Sequence, residues 1–211
     1  MPKISALMSV YNGERYISNS IESILNQTFQ DFELIIVNDG STDRTMQIIN
    51  NYKDKRIKVI DIKNNVGVGA ALNIGIPYLS GKYIAKVDAD DINHPERFEK
   101  QLDYLEQNSD VVLVKTLISY FPDNPVVANS YRYMYFKNVL EKQKNSVVSY
   151  EDISNKLYWF NCICHASMMI RSDILKRVKY NELRVYEDYD LCYRLNKSGY
   201  KMGTVPEVLV D

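Results

Sequence analysis

A chain of 211 residues, 45% hydrophobic and 25% charged, is long enough to bury one sizeable core and too ordinary in composition for a disordered or fibrous protein. Its formal net charge of −1 excludes a nucleic-acid binder that works through a broad basic surface. The three cysteines, Cys162, Cys164 and Cys192, form no disulfide framework, so a reducing cytoplasm is the expected location.

Ile4–Val10 has the length and apolar content of a buried strand, and is too short for a signal peptide. Ile17, Ile21, Ile24 and Leu25 recur at helical spacing and predict an amphipathic helix. Glu33–Val37 is a second strand. It runs into Asp39-Gly40-Ser41-Thr42-Asp43, a turn rich in helix-start residues, and a helix carrying Met46, Ile49 and Tyr52 follows. Ile57–Ile62 is a third strand and Gly67–Leu79 a third helix, with Pro77 distorting its last turn. The strand Tyr83–Val87 ends directly in Asp88-Ala89-Asp90-Asp91. Asn93 or His94 then caps a helix with Pro95 in its first turn and Phe98, Leu102 and Leu105 as its buried stripe. Val111–Val114 is a further strand.

Such alternation predicts a doubly wound, mostly parallel α/β sheet with helices on both faces. From Leu117 to Phe160 the pattern fades, and the alternating Tyr131, Tyr133 and Tyr135 predict a strand with one aromatic face. Cys162 and Cys164, two apart, share a face if that segment is extended, and are small buried residues rather than half of a zinc site. Ala166–Ile170 is a strand, Ser172 to about Val178 a helix, and another helix starts near Glu187. No apolar run approaches the roughly 18 residues that span a bilayer.

Three carboxylates within four residues, at Asp88, Asp90 and Asp91, repel one another unless a cation lies between them. Hard oxygen ligands suit Mg²⁺ or Mn²⁺, which often bridge to substrate phosphates. Alone, such a cluster is more often a polar turn. Its position changes the weighting, because Tyr11-Asn12, Asp39 and Asp88–Asp91 all fall at strand ends, where open α/β sheets bind ligands. The exit of the first strand lacks G-x-G-x-x-G, and no G-x-x-x-x-G-K-[ST] loop occurs, so neither a dinucleotide cofactor nor a P-loop is expected. Asp39 either accepts a bond from a nucleoside or caps the helix that starts near Thr42. Asp188 shares a helical face with Leu191, Cys192 and Leu195, which makes it either a cap or a positioned base in a cleft. Asp190 and Arg194 form an ordinary i, i+4 pair.

Taken together, Ser9-Val10-Tyr11-Asn12, Ile35-Ile36-Val37-Asn38-Asp39-Gly40-Ser41-Thr42-Asp43, Leu72-Asn73-Ile74-Gly75, Gly81-Lys82-Tyr83-Ile84, Asp88-Ala89-Asp90-Asp91 and Glu187-Asp188 resemble, in this order, the motifs of family 2 glycosyltransferases. That resemblance implies the inverting GT-A fold as one domain over 1–211. Residues 1–115 would form the nucleotide-sugar half and 116–211 the acceptor-side half. It further implies Ser9, Tyr11, Asp39, Asn73 and Asp88 around the nucleotide, Asp90 and Asp91 on Mn²⁺ or Mg²⁺, and Asp188 as general base. The donor would be a nucleotide-diphosphate sugar, with uridine favoured, and the acceptor a saccharide or lipid-linked hydroxyl. Through that acceptor the resemblance also implies peripheral contact with the inner face of a membrane.

Two departures accompany it. The family usually continues past the strand ending near Val210, so a further C-terminal segment is expected. Lys86 shares a strand face with Asp88 and is expected to neutralise part of the cluster. A sugar-phosphate nucleotidyltransferase would carry a basic, Gly-rich loop where this chain has Tyr11-Asn12-Gly13-Glu14. A non-catalytic nucleotide- or glycan-binding module is the remaining alternative.

Overall fold

The computed structural model describes residues 1–183 and 185–211. Its centre is a seven-stranded sheet in the order β3-β2-β1-β4-β6-β5-β7. These strands are β1 (Ile4–Val10), β2 (Phe32–Asp39), β3 (Ile57–Ile62), β4 (Tyr83–Lys86), β5 (Val111–Ile118), β6 (Met168–Arg171) and β7 (Lys201–Val210). All neighbouring pairs are parallel except those of β6, which runs antiparallel to both β4 and β5.

Side-chain alternation divides the core into two layers. Leu7, Ile35 and Val37 face one way, and Ala6, Met8, Leu34 and Ile36 face the other, as a period of two requires. The second face is covered by α1 (Ile17–Leu25), α2 (Thr45–Asn51) and α4 (Arg97–Gln107), through Ile17, Ile21, Ile24, Ile49, Phe98, Leu102 and Leu105. The first face is covered by α3 (Val68–Gly75), α8 (Tyr150–Lys156), α9 (Ser172–Val178) and α10 (Glu187–Lys197). All eight residues of β2 are buried, which is why its middle, Leu34–Val37, is apolar on both faces.

Between β5 and α8 lie α5 (Pro125–Ala128), α6 (Tyr131–Tyr135) and α7 (Glu141–Asn145), the last two joined without a break by a π-helical turn, Phe136–Leu140. The strand expected at Tyr131–Tyr135 is therefore a helix. Ser130 starts it, its hydroxyl accepting from Tyr133 N at 3.1 Å. Cys162 and Cys164 lie outside any strand, although Cys162 is buried as expected. Pro77 ends α3 early and the chain continues as a 3₁₀ turn, Ile76–Tyr78.

Candidate active site

β1 is the hinge of the topology. The chain winds outward from it through β2 and β3, then returns to place β4 on its other side. Loops at the carboxyl ends of β1, β2 and β4 diverge there and leave a cleft of about 350 Å³. Ser9, Tyr11, Asp39, Asp88 and Asp90 all line it, together with Asn12, Tyr16, Asn65 and Gly67.

The cleft rim is stitched by hydrogen bonds between the first two loops. Asn12 adopts a left-handed φ of 52° and accepts from Thr42 N at 2.8 Å, while its own N–H donates to Ser41 Oγ at 2.9 Å. Gly13 N donates to Thr45 Oγ1 at 2.8 Å. Tyr11 is left about half exposed at the cleft. The buried Asp39 carboxylate accepts from Val66 N at 2.8 Å and Gly67 N at 3.0 Å. It therefore fastens the loop that opens α3. The helix after Thr42 begins instead at Thr45, whose N–H and hydroxyl Asp43 accepts at 3.0 and 2.5 Å.

Asn73 stands apart from the cleft. Its Nδ2 donates to Tyr180 O at 2.8 Å and its Oδ1 accepts from Tyr180 N at 3.0 Å, so both ends of the amide hold the segment that leads to α10.

The acidic cluster sits above two buried cations. Lys86, 1% exposed, donates to the Val87 carbonyl at 2.9 Å and pairs with Asp88. Burial pushes the Asp88 carboxyl up, but the charge and hydrogen bond of Lys86, together with the other positive groups around it, hold it below its ordinary value. Asp90 is pushed up by partial desolvation and then by Asp88. Asp91 is pushed up to about 8 by burial and by the charges of Asp88 and Asp90. Arg97, fully buried beneath them, donates to Lys86 O at 2.7 Å and Met168 O at 3.3 Å; burial lowers it to about 10, so it stays charged at neutral pH.

Two neighbouring carboxylates whose pKa values are raised by burial and by the charges beside them are a fitting donor set for a hard divalent ion. Among the described residues no three such ligands converge on one point. That suits an ion held by one or two carboxylates and completed by substrate phosphate oxygens.

Asp188 is half-buried in the first turn of α10, and Asn161 Nδ2 donates to its Oδ2 at 2.8 Å. His165 links this side to the cluster. Its Nε2 meets Tyr180 Oη at 2.9 Å, and burial, then Lys86, lowers it to about 4, with Asp88 and Asp188 pulling the other way. The ring is therefore neutral near pH 7 and lies within electrostatic reach of both carboxylates. Asn161, His165, Arg97 and Tyr180 escaped the sequence reading. The nearest signal was Cys162-Ile163-Cys164-His165, weighed only as a metal motif.

This fold and the placement of its acidic loop at the switch point define a GT-A glycosyltransferase. The family model for glycosyl transferase family 2 matches residues 5–179, and the chain belongs to that family. An uncharacterized glycosyltransferase, MJ1057, of Methanocaldococcus jannaschii is 36% identical over 99% of this chain and 70% of its own length. A UDP-Gal:alpha-D-GlcNAc-diphosphoundecaprenol beta-1,3-galactosyltransferase of Escherichia coli is 30% identical over 100% of this chain and 74% of its own. The fold is shared with S. aureus TarS solved with UDP, at a TM-score of 0.76 and 20% identity, covering 99% of this chain and 59% of that one. It is also shared with the mannosyltransferase PcManGT of Pyrobaculum calidifontis, solved with GDP-Man and Mn²⁺, at 0.75 and 17%, covering 99% and 56%.

Proposed function

We propose that the protein is an inverting glycosyltransferase. It moves a hexosyl or hexosaminyl group from a UDP-sugar to a hydroxyl of a saccharide or lipid-linked acceptor, in the assembly of a cell-surface polysaccharide. The observation that carries this reading is the division of carboxylates. Asp88 and Asp90 line the cleft and Asp91 the adjoining cavity, while Asp188 is held on a separate helix by Asn161. The relatives that act on, or were solved with, uridine nucleotides favour the same donor base.

In this reading Tyr11 stacks on the base, Ser9 and Asp39 line its site, and Asp88 faces the ribose. Asn73 contributes at one remove, by fixing the Tyr180 segment. A Mn²⁺ or Mg²⁺ ion held by Asp90 and Asp91 would offset the charge that develops on the departing diphosphate. Asp188 takes the proton of the acceptor hydroxyl as its oxygen forms the new bond to the anomeric carbon, and the bond to the diphosphate oxygen breaks on the opposite face. Asn161 keeps the Asp188 carboxylate oriented.

The test pairs two variants. Asp188→Asn should retain UDP affinity in calorimetry with Mn²⁺ while transfer falls by roughly 10²–10⁴-fold. Asp90→Asn should lose the Mn²⁺-dependent part of UDP binding. Equal loss of UDP affinity in both would contradict this division of roles. UDP binding without transfer or donor hydrolysis in the unsubstituted protein would favour a binding module.

A further inference from the structure

The cleft at the switch point has no positive charge of its own to set against a diphosphate. Among the described residues that line it there is no lysine or arginine. The two buried cations below the acidic cluster are already committed, Lys86 to Asp88 and the Val87 carbonyl, Arg97 to the carbonyls of Lys86 and Met168. At the rim, Arg44 is held by Glu14, whose Oε2 accepts from its backbone N–H at 3.0 Å and from its Nε at 3.2 Å. A divalent ion on Asp90 and Asp91 would have its two charges balanced by those ligands, which leaves diphosphate charge to be met elsewhere.

The adjoining cavity of about 620 Å³, walled on one side by Asp90 and Asp91, does hold a cation. Arg15 is the one lysine or arginine among the described residues that line it. Its Nη2 donates to Asp123 Oδ2 at 2.7 Å, on the loop between β5 and α5, 108 residues away. The two side chains are 66% and 34% exposed, and ion pairs of that kind add little to stability, so the partner is readily exchanged. The Arg15 guanidinium also lies 5.1 Å from the centre of the Tyr16 ring. Tyr16 and Asp90 line both the cleft and the cavity, so Arg15 rests against the wall that separates them. Just before it the backbone is fixed, since Gly13 N donates to Thr45 Oγ1 at 2.8 Å and Glu14 N to Asp43 Oδ2 at 3.1 Å. The exposed head can therefore turn about the Tyr16 ring while the loop stays in place.

We propose that Arg15 is a donor-binding residue that exchanges Asp123 for the diphosphate of the nucleotide sugar. The inference rests on the reading of the cleft as the UDP-sugar site. With the nucleoside against Tyr11 and Asp88 and the ion on Asp90 and Asp91, the diphosphate crosses the boundary that Tyr16 and Asp90 mark. There the planar guanidinium donates two N–H bonds to phosphate oxygens, a firmer contact than its half-exposed pair with Asp123. It also meets the negative charge that grows on the diphosphate as the glycosidic bond breaks. Without donor, Asp123 holds the guanidinium and competes with the diphosphate for it.

The test is calorimetry of UDP with Mn²⁺ on the full chain and three variants. Arg15→Gln should weaken UDP about tenfold, the effect of losing a charge-assisted contact. Asp123→Asn should act in the opposite direction and tighten UDP roughly two- to fivefold, because the competing carboxylate is gone. In the double variant the Asp123 substitution should have no further effect, since the two act through one guanidinium. A pair that merely ties two loops together would shift UDP affinity the same way in both single variants, or in neither. Unchanged UDP affinity in Arg15→Gln, or any result but tightening in Asp123→Asn, overturns the proposal while the reading of the cleft stands. Failure of UDP to bind the unsubstituted chain removes the reading of the cleft, and the role of Arg15 with it.

Discussion

At the scale of single residues, the site is governed by how a compact set of charges is balanced. Lys86 is buried and lies against Asp88, so replacing it with Met leaves a partly buried carboxylate unpaired, at a cost on the order of 2 kcal/mol. We expect Lys86→Met to melt earlier than the unsubstituted protein without metal and to regain part of the loss with Mn²⁺. If Mn²⁺ raises both melting temperatures by the same amount, Lys86 does not act as the internal counter-ion. Asn161 is a positioning residue, since it reaches the reaction only through Asp188. Misaligned groups can cost about 10²-fold in rate, so Asn161→Ala should lower kcat by roughly ten- to a hundredfold with KM for the donor unchanged. A rise in KM alone would assign Asn161 to donor binding instead. Asp39, Asp88, Asp90 and Asp91 were legible in the sequence because carboxylates at strand ends are conspicuous, and Asp188 because it heads an otherwise apolar helical face. Asn161 and His165 were not, because nothing in Phe160-Asn161-Cys162-Ile163-Cys164-His165 says which side chain will meet a helix some 25 residues later.

At the scale of elements, Glu33 ties four segments together. Its carboxylate accepts from Ser5 Oγ on β1 at 2.6 Å, from Ser80 N at 2.7 Å, and from Lys58 Nζ on β3 at 2.7 Å. Burial works against the ionised form, yet these donors lower the group to about 2 from an ordinary 4.5. The sign follows from the lowered folded-state value. The stabilisation is complete above about pH 4.5 and disappears as pH falls toward 2, and its size is on the order of 3 kcal/mol. Glu33→Gln should flatten the acid limb of a urea-denaturation pH profile between those limits. An unchanged profile would mean that other carboxylates control acid unfolding. Close approach sets a second constraint where the chain enters β4. A Cβ on Gly81 would lie 2.6 Å from Ser5 N and 2.7 Å from Ile4 C, both backbone atoms that cannot step aside. Gly81→Ala should cost about 1–3 kcal/mol in chemical denaturation, and a neutral result would show that the β4 entrance is free to shift. Helix α1 and strands β1 and β2 were legible because periodicity and burial agree there, and the edge strand β3 from its short β-branched run alone. The helix at Tyr131–Tyr135 was not, because the spacing of the tyrosines masked the cap at Ser130 that starts it.

At the scale of the whole molecule, the cleft and the acidic cluster share one sheet, since the ends of β1, β2 and β4 carry them, while Asp188 stands on α10 against the same sheet's first face. Ligand binding at the switch point should therefore stabilise the whole chain. UDP with Mn²⁺ at a hundredfold excess over Kd should add about 2.7 kcal/mol, a rise in Tm of roughly 5–10 °C for a chain of this size. UDP without divalent cation should give less, and Asp90→Asn should remove the difference. A shift independent of the metal would detach Asp90 from the nucleotide. The sequence by itself determined the alternating architecture and the strand-end carboxylates, because burial periodicity and charge repulsion act over a few neighbouring residues. It also determined the Lys86–Asp88 pairing, which needs only the two-residue repeat of a strand. Tertiary structure alone decided that Asp39 fastens the Val66–Gly67 loop, that Asn73 holds the Tyr180 segment, and that Asn161 orients Asp188. These contacts join residues 27 to 107 positions apart, and only the folded chain fixes which distant donor meets which acceptor.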